Sequence, residues 1–86
     1  MRVIDNALHS AIHPGEIVRE EFLVPRGMAA QQLAVTTGIS AGRIQALLAG
    51  HEAVTEEIAE ALSLSLGMNR AFWLSLQRDY EQNHPH

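Results

Sequence analysis

The chain has 86 residues, which is enough for one domain but too few for two hydrophobic cores. It contains no cysteine, which excludes disulfides and thiolate metal sites and suits a reducing compartment. Ten acidic residues against six arginines, with no lysine, give a net charge of −4. This balance opposes nucleic-acid binding at first sight, because neutralising phosphates supplies most of the affinity for DNA.

Residues 1–12 show no clear periodicity and are expected to form an N-terminal arm, which could be loose or contain a short strand. They lack the apolar stretch of a signal peptide, and no run in the chain approaches the roughly 18 apolar residues that span a bilayer. We therefore expect a cytoplasmic protein that makes no contact with a membrane. One helical domain is predicted over residues 13–82, followed by a frayed tail at residues 83–86.

The first predicted helix runs from Pro14 to about Val24, because proline suits a first helical position and Glu16 favours the helix dipole there. The sequence "PRG" at residues 25–27 is expected to end it. A second helix is predicted from about Ala29 to Thr36, with small and apolar residues facing inward. No stretch alternates as a half-buried strand would.

The third predicted helix begins after Ser40, whose side chain can cap it, and runs to about Ala49. Thr55 is expected to cap a fourth helix, and Asn69 a fifth. In the fifth helix, aromatic and apolar side chains recur every four residues, and Trp73 lies beside them. The predicted inward-facing positions of this last stripe are Phe72, Leu76 and Tyr80.

The second and third predicted helices are joined at Gly38, and together they match a helix-turn-helix motif at about residues 29–49. The turn needs a positive φ, which glycine reaches without steric cost. A small residue, Ala34, is expected where the two helices cross. The positions that satisfy the pattern together are Leu33, Ala34, Gly38, Ile39, Ile44 and Leu47.

The charge distribution removes the electrostatic objection to DNA binding. All ten acidic residues lie outside residues 26–51, and that window holds Arg26, Arg43 and His51. Because binding depends on where charges lie and not only on their sum, a DNA-facing motif is compatible with a net charge of −4.

Four segments carry a resemblance to a known family: "HPGEIVREEFL" at residues 13–23, "ISAGRIQALLAG" at 39–50, "VTEEIAEALSLSLG" at 54–67 and "FWLSLQRDY" at 72–80. Together they resemble the HigA-type (VapI-like) antitoxins of the Xre/Cro helix-turn-helix family. The resemblance implies an all-α, five-helix, lambda-repressor-like domain that dimerises and represses its own operon. It further implies that the protein neutralises a toxin of the RelE-like, mRNA-cleaving ribonuclease class.

The sequence departs from the family pattern at two places. Many relatives begin the second helix with Thr-Gln, whereas this chain has Ala29 and Ala30. Many place Arg or Gln early in the third helix, whereas this chain has Ala41 and Gly42. Base recognition is therefore expected to use fewer side chains, with a closer approach of the backbone to the groove.

The candidate DNA contacts lie on the outer face of the third helix and at the start of the second. Arg43 can donate two hydrogen bonds to guanine or bind a phosphate, and Gln45 can recognise adenine. The other candidates act by phosphate contact, by apolar contact with thymine or by allowing close approach. They are Gln31, Gln32, Ser40, Ala41, Gly42, Ala46 and His51. For each candidate, the alternative interpretation is an ordinary surface residue that caps a helix or is solvated.

Two leucines, Leu64 and Leu74, are expected to point away from the core and to form a homodimer interface. A symmetric dimer is what a palindromic double-stranded operator requires. Neither a cofactor nor a metal is expected, since His9 and His13 are the only histidine pair at helical spacing outside the tail and zinc needs three or four ligands. No nucleophile has a partner base, so an enzyme is not expected.

The sequence leaves two alternatives open. The chain could be an Xre-type repressor without a toxin, which a search for a small basic partner would distinguish. It could also be a helical protein-interaction module that has lost DNA binding, in which case no salt-dependent affinity for DNA would be found.

Overall fold

The computed structural model describes residues 12–83, and this part of the chain folds into five helices without a strand. The predicted arm, apart from Ile12, and the end of the predicted tail (residues 84–86) lie outside the described residues. Helix α1 is continuous through Pro14–Ile17, a π-helical stretch Val18–Leu23 and Val24–Arg26. The others are α2 (Ala30–Thr37), α3 (Ala41–Leu48), α4 (Glu56–Leu66) and α5 (Arg70–Asn83). The predicted all-α, five-helix fold is confirmed.

Helix α1 runs two residues beyond its predicted end at Val24. Pro25 has no N–H to donate to the carbonyl four residues earlier, and its ring would crowd that carbonyl. The helix widens instead: the N–H of Val24 donates to the carbonyl of Arg19, five residues back. A π-helical stretch therefore accommodates the proline, and α1 ends at Gly27 in the left-handed conformation.

The predicted helix-turn-helix is formed by α2 and α3. Gly38 adopts φ 76° and its N–H donates to the carbonyl of Ala34 at 2.9 Å, which closes α2 and turns the chain. Leu33, Ile44 and Leu47 are buried beneath the two helices. The prediction of a glycine-dependent turn between two short helices is confirmed.

Helix α5 covers the core with a face that differs by one position from the predicted one. Trp73 is fully buried and donates its indole N–H to the carbonyl of Gly67 at 3.2 Å. Gln77, one turn later, is also buried, whereas Phe72, Leu76 and Tyr80 are half-buried. The predicted stripe therefore flanks the buried line and does not form its centre.

The start of α1 lies directly against the end of α3. Gly15 is buried, and a Cβ atom at this position would overlap the backbone carbonyl of Leu47. Arg19 donates from its guanidinium to the carbonyl of Leu48 at 3.4 Å. The first half of α1 therefore fixes the C-terminal end of α3, which orients the helix that the sequence predicts to contact DNA.

Within residues 12–83, each helix is either too short or too polar to cross a lipid bilayer.

Candidate nucleic-acid interface

The start of α3 presents a capped and exposed polar surface. The hydroxyl of Ser40 accepts a hydrogen bond from the N–H of Arg43 at 3.3 Å, which satisfies one donor of the first turn. Ser40, Gly42, Arg43 and Gln45 are exposed, and Ala41 is half-buried. Four of the five predicted contacts in the first half of α3 are therefore open to solvent, while Ile44 points into the core.

Gly42 lies in open space. A Cβ atom built at this position meets nothing within 4 Å in the protein, so packing does not explain the glycine. Its absence of a side chain leaves the first turn of α3 open to a close approach from outside. The expectation of a closer backbone approach therefore agrees with this geometry, and its role in DNA binding stays a prediction.

The start of α2 carries the two predicted glutamines in different roles. Gln32 accepts a hydrogen bond through its side-chain oxygen from the N–H of Ala29 at 2.7 Å. Ala29 has no side-chain oxygen with which to cap α2, so Gln32 supplies the capping interaction from inside the helix. Gln31 is exposed in the first turn of α2, where backbone N–H groups favour an anion.

Arg43 is paired with two carboxylates, which the sequence did not indicate. Its Nε donates to Oε2 of Glu52 at 3.2 Å, and its Nη1 lies 3.7 Å from Oε1 of Glu57. Glu52 belongs to the loop after α3, and Glu57 to the first turn of α4. The acidic residues are therefore separate from the basic window along the sequence but not in space, because the chain turns at Gly50 and brings Glu52 and Glu57 to Arg43.

The two remaining basic or small candidates lie toward the end of α3. Ala46 is half-buried, and its carbonyl accepts the N–H of His51 at 2.8 Å. His51 is exposed just beyond the helix, as expected. These two positions share the α3 C-terminus and are separate from the capped first turn that carries Ser40 and Arg43.

His13 joins three parts of the molecule near this end of α3. Its Nδ1 accepts the N–H of Gly15 at 2.8 Å and so caps α1, and its ring contacts Tyr80 edge to face at a centroid distance of 4.9 Å. Burial lowers the pKa of His13 below 6.5. A hydrogen bond from the ring to the backbone of Glu52 raises this pKa in part, and electrostatic repulsion from His51 lowers it further. The neutral imidazole is the form that can cap α1.

The two predicted dimer residues differ in exposure. Leu64 is 79% exposed on α4, whereas Leu74 is half-buried against the core. The expectation that Leu74 points away from the core is wrong, because it lies three positions before the buried Gln77, on nearly the same face of α5, and packs against the core. Assignment of either leucine to a dimer interface stays a prediction. Other large exposed apolar side chains are Val24, Val35 and Met68.

Three residues with structural consequences for this surface were not singled out from the sequence: Glu52, Glu57 and Gln77. The carboxylates are nine and fourteen positions from Arg43, and only the path of the loop brings them together. Gln77 accepts the N–H of Val54 at 2.9 Å, which pins the loop before α4 to α5. No group of three metal-ligating side chains converges among residues 12–83.

The fold and this exposed, capped helix define a helix-turn-helix protein of the lambda-repressor-like class. No family model matches the chain. It is similar to virulence-associated protein I of Dichelobacter nodosus, with 38% identity over 71 residues, which covers 83% of this chain and 66% of the relative. The chain therefore spans just under two thirds of that relative's length.

Solved structures show the same relationship. An addiction module antidote protein of a HigA family from Coxiella burnetii is 38% identical, with a TM-score of 0.81 and coverage of 86% of this chain and 80% of that one. The Pseudomonas aeruginosa antitoxin HigA, solved with higBA promoter, is 28% identical, with a TM-score of 0.83 and the same two coverages. The chain belongs to the HigA family of antitoxins.

Proposed function

We propose that this protein is the antitoxin of a type II toxin–antitoxin pair, and that it represses its own operon by binding a palindromic operator as a homodimer. In this proposal α3 enters the major groove, with Ser40, Arg43 and Gln45 on the DNA side. Gln31 and Gln32 at the start of α2 bind phosphates and so fix the position of the protein along the DNA. The partner is a RelE-like ribonuclease toxin bound on a separate surface.

The observation that carries the DNA-binding part is the exposed first turn of α3. Its apolar residues face inward, its cap is satisfied, and polar side chains of types suited to recognising base edges face outward. The relative from Pseudomonas aeruginosa with the same fold was solved with promoter DNA. Both support a role of α3 in recognising a promoter.

The test is a titration of the purified protein onto a labelled duplex from immediately upstream of its own gene, beside an unrelated duplex of equal length. We expect preferential binding to the first duplex. Arg43→Ala should weaken that binding by about 1–3 kcal/mol, because a base contact of a bidentate arginine is lost.

Arg70→Ala is the matched control, since Arg70 is also an exposed arginine whose Nη1 lies 3.8 Å from a glutamate, Glu60, but at the start of α5. It should leave both affinities unchanged. Equal weak binding of the wild-type protein to both duplexes would overturn the operator-binding proposal.

The toxin-binding part is supported by charge. Acidic residues that make no contact with Arg43, such as Glu16, Glu20 and Glu56, are exposed, and acidic surfaces steer association with basic proteins such as ribonucleases. We expect co-purification with a small basic protein encoded beside the gene, and protection from hydrogen exchange outside residues 40–46. A toxin footprint that covers residues 40–46 would contradict a separate toxin surface.

One observation favours the alternative of a protein-interaction module without DNA binding. Arg43, the main candidate for base recognition, already has two carboxylate partners within the protein. If those partners hold it permanently, α3 offers little positive charge to phosphate. In that case the titration shows no dependence on salt, whereas an operator-binding protein loses affinity steeply as salt increases.

A further inference from the structure

We propose that Glu52 and Glu57 determine DNA specificity by making Arg43 a base-contacting residue and preventing its use as a phosphate contact. The proposal rests on the proposed function, in which α3 binds operator DNA. It assigns a role to two carboxylates that make no DNA contact themselves and that act through the guanidinium of Arg43.

Arg43 and its two carboxylate partners form a locally acidic group. Arg43 carries one positive charge, and Glu52 and Glu57, within 4 Å of it, carry two negative charges, which leaves the trio with a net charge of −1. A phosphate that approaches Arg43 meets the two carboxylates as well. The attraction of the arginine for the DNA backbone is therefore cancelled locally, and phosphate attraction is the main source of non-specific binding.

The two carboxylates engage only part of the guanidinium of Arg43. The Nε–H is the donor that Glu52 accepts, at 3.2 Å, whereas Nη1 lies 3.7 Å from Glu57, beyond a good hydrogen bond. A guanidinium has five N–H donors in a fixed plane, so the donors on Nη1 and Nη2 remain able to form a pair of hydrogen bonds. Guanine O6 and N7 are neutral acceptors that suit such a pair.

The two carboxylates affect specific and non-specific DNA complexes differently. A neutral base edge is not repelled by Glu52 and Glu57 as a phosphate is, so the carboxylates weaken the non-specific complex more than the specific one. The Nε hydrogen bond also fixes the plane of the guanidinium before DNA arrives, which lowers the entropic cost of the bidentate contact. Both effects increase the ratio of specific to non-specific affinity.

The surroundings of Glu52 allow it to act in this way. Its side chain is only 34% exposed, compared with 74% for Glu57, and its loop is fixed on one side by the Gln77 hydrogen bond to Val54. Glu52 is therefore the better-positioned partner, and Glu57 contributes mainly charge. We expect the effect of replacing Glu52 to exceed that of replacing Glu57.

The test compares the wild-type protein with Glu52→Gln, Glu57→Gln and the double variant. Each protein is titrated at several salt concentrations onto the duplex from upstream of its own gene and onto an unrelated duplex. Glutamine keeps the size and an acceptor oxygen while it removes the charge. Glu60→Gln is the matched control, because Glu60 also pairs with an arginine, but with Arg70 at the start of α5 and not with Arg43.

We expect the double variant to bind the unrelated duplex at least about tenfold more tightly than the wild type, with a smaller gain on the operator duplex. Its plot of log affinity against log salt concentration should be steeper by about 1, the change expected for one added phosphate contact. Glu60→Gln should match the wild type on both duplexes. Adding Arg43→Ala to the double variant should abolish the gain on the unrelated duplex.

An equal gain in affinity for both duplexes would overturn the proposal, because the carboxylates would then weaken specific and non-specific binding alike. No gain on either duplex, with wild-type preference intact, would also overturn it and would leave operator binding standing. If all the proteins, wild type included, bind both duplexes equally and weakly, operator binding itself is wrong and this proposal is wrong with it.

Discussion

Two glycines of this chain differ in the space that a side chain would have at their positions. Gly15 leaves room for the carbonyl of Leu47, and the backbone of α3 cannot move aside without disturbing the helix. Gly42 has open space around the position of a Cβ atom. One glycine is thus required by packing and the other is not, although the sequence shows the same letter in both places.

Gly15→Ala should lower the free energy of unfolding by about 1–3 kcal/mol, because the added methyl group overpacks the contact between α1 and α3. Gly42→Ala should raise it by up to about 1 kcal/mol, since alanine favours a helix more than glycine does. Urea denaturation monitored by circular dichroism checks both variants. Equal effects of the same sign would show that the contact at Leu47 can relax and that Gly15 is not required for packing.

His13 predicts a dependence of stability on pH. Burial lowers the pKa of this histidine in the folded protein below 6.5, its value in the unfolded chain. The unfolded chain therefore binds more protons in this range, so stability rises with pH. The contribution is fully present above pH 6.5 and is lost as the pH falls through the lowered pKa of the folded protein.

His51 and Glu52 face His13 from the loop after α3, and Tyr80 faces it from α5. The free energy of unfolding measured between pH 7.5 and pH 5 should fall with decreasing pH. His13→Asn should show a flatter profile, because asparagine caps a helix without titrating. A variant profile parallel to that of the wild type would mean that other groups cause the dependence.

At the scale of the helices, sequence patterns predicted most of the fold. Side-chain caps at Ser40, Thr55 and Asn69 each accept a backbone N–H three residues later, as their residue types indicated. These capping signals are local in the sequence, so they can be recognised without knowledge of the tertiary structure. The extension of α1 past Pro25 was missed because a π-helical stretch depends on how the helix packs and not on proline alone.

The candidate site was less predictable than the helices. The exposed face of α3 follows from helical periodicity, which turned Arg43 and Gln45 away from the inward-facing Ile44 on either side of it. The pairing of Arg43 with Glu52 depends on the loop conformation, which is fixed in part by the contact of Gln77 with Val54. A contact between residues 23 positions apart leaves no periodic signal in a single sequence.

Gln77 should be important for the junction between α5 and the loop before α4. Its oxygen accepts the buried N–H of Val54, and its nitrogen donates to Glu81 at 2.9 Å. Gln77→Leu should lower the free energy of unfolding by about 1–3 kcal/mol, because a buried backbone donor loses its partner. Gln82→Leu, an exposed position on the same helix, is the control and should change it by less than about 0.5 kcal/mol.

The comparison is made by urea denaturation of both variants. If Gln77→Leu lowers the free energy of unfolding no more than Gln82→Leu does, water takes the place of Gln77 as the partner of the Val54 N–H. If Glu52 is positioned through this loop, Gln77→Leu should also reduce the preference for the operator duplex at a temperature where the variant is folded.

For the whole molecule, a palindromic operator requires two copies of α3 whose centres are about 34–36 Å apart, one turn of DNA. One copy of the domain supplies a single α3, and the largest dimension of the domain is 32 Å. A second protomer must therefore be held at a fixed distance and orientation. Symmetry places the same surface patch on both sides of such an interface, so one residue change acts twice.

Leu64→Glu tests the proposed homodimer more cleanly than a change at Leu74, because Leu64 is 79% exposed and its replacement leaves the core intact. Burying a leucine contributes about 1.5–3 kcal/mol, so losing it on both sides of a symmetric interface should raise the dimer dissociation constant at least about a hundredfold. Sedimentation equilibrium measures this constant, and circular dichroism verifies the helical content. Val35→Glu, at an equally exposed apolar position on α2, is the matched control. Dissociation by Val35→Glu but not by Leu64→Glu would place the interface on α2, while a monomeric wild-type protein would remove the geometric basis for recognising a palindrome.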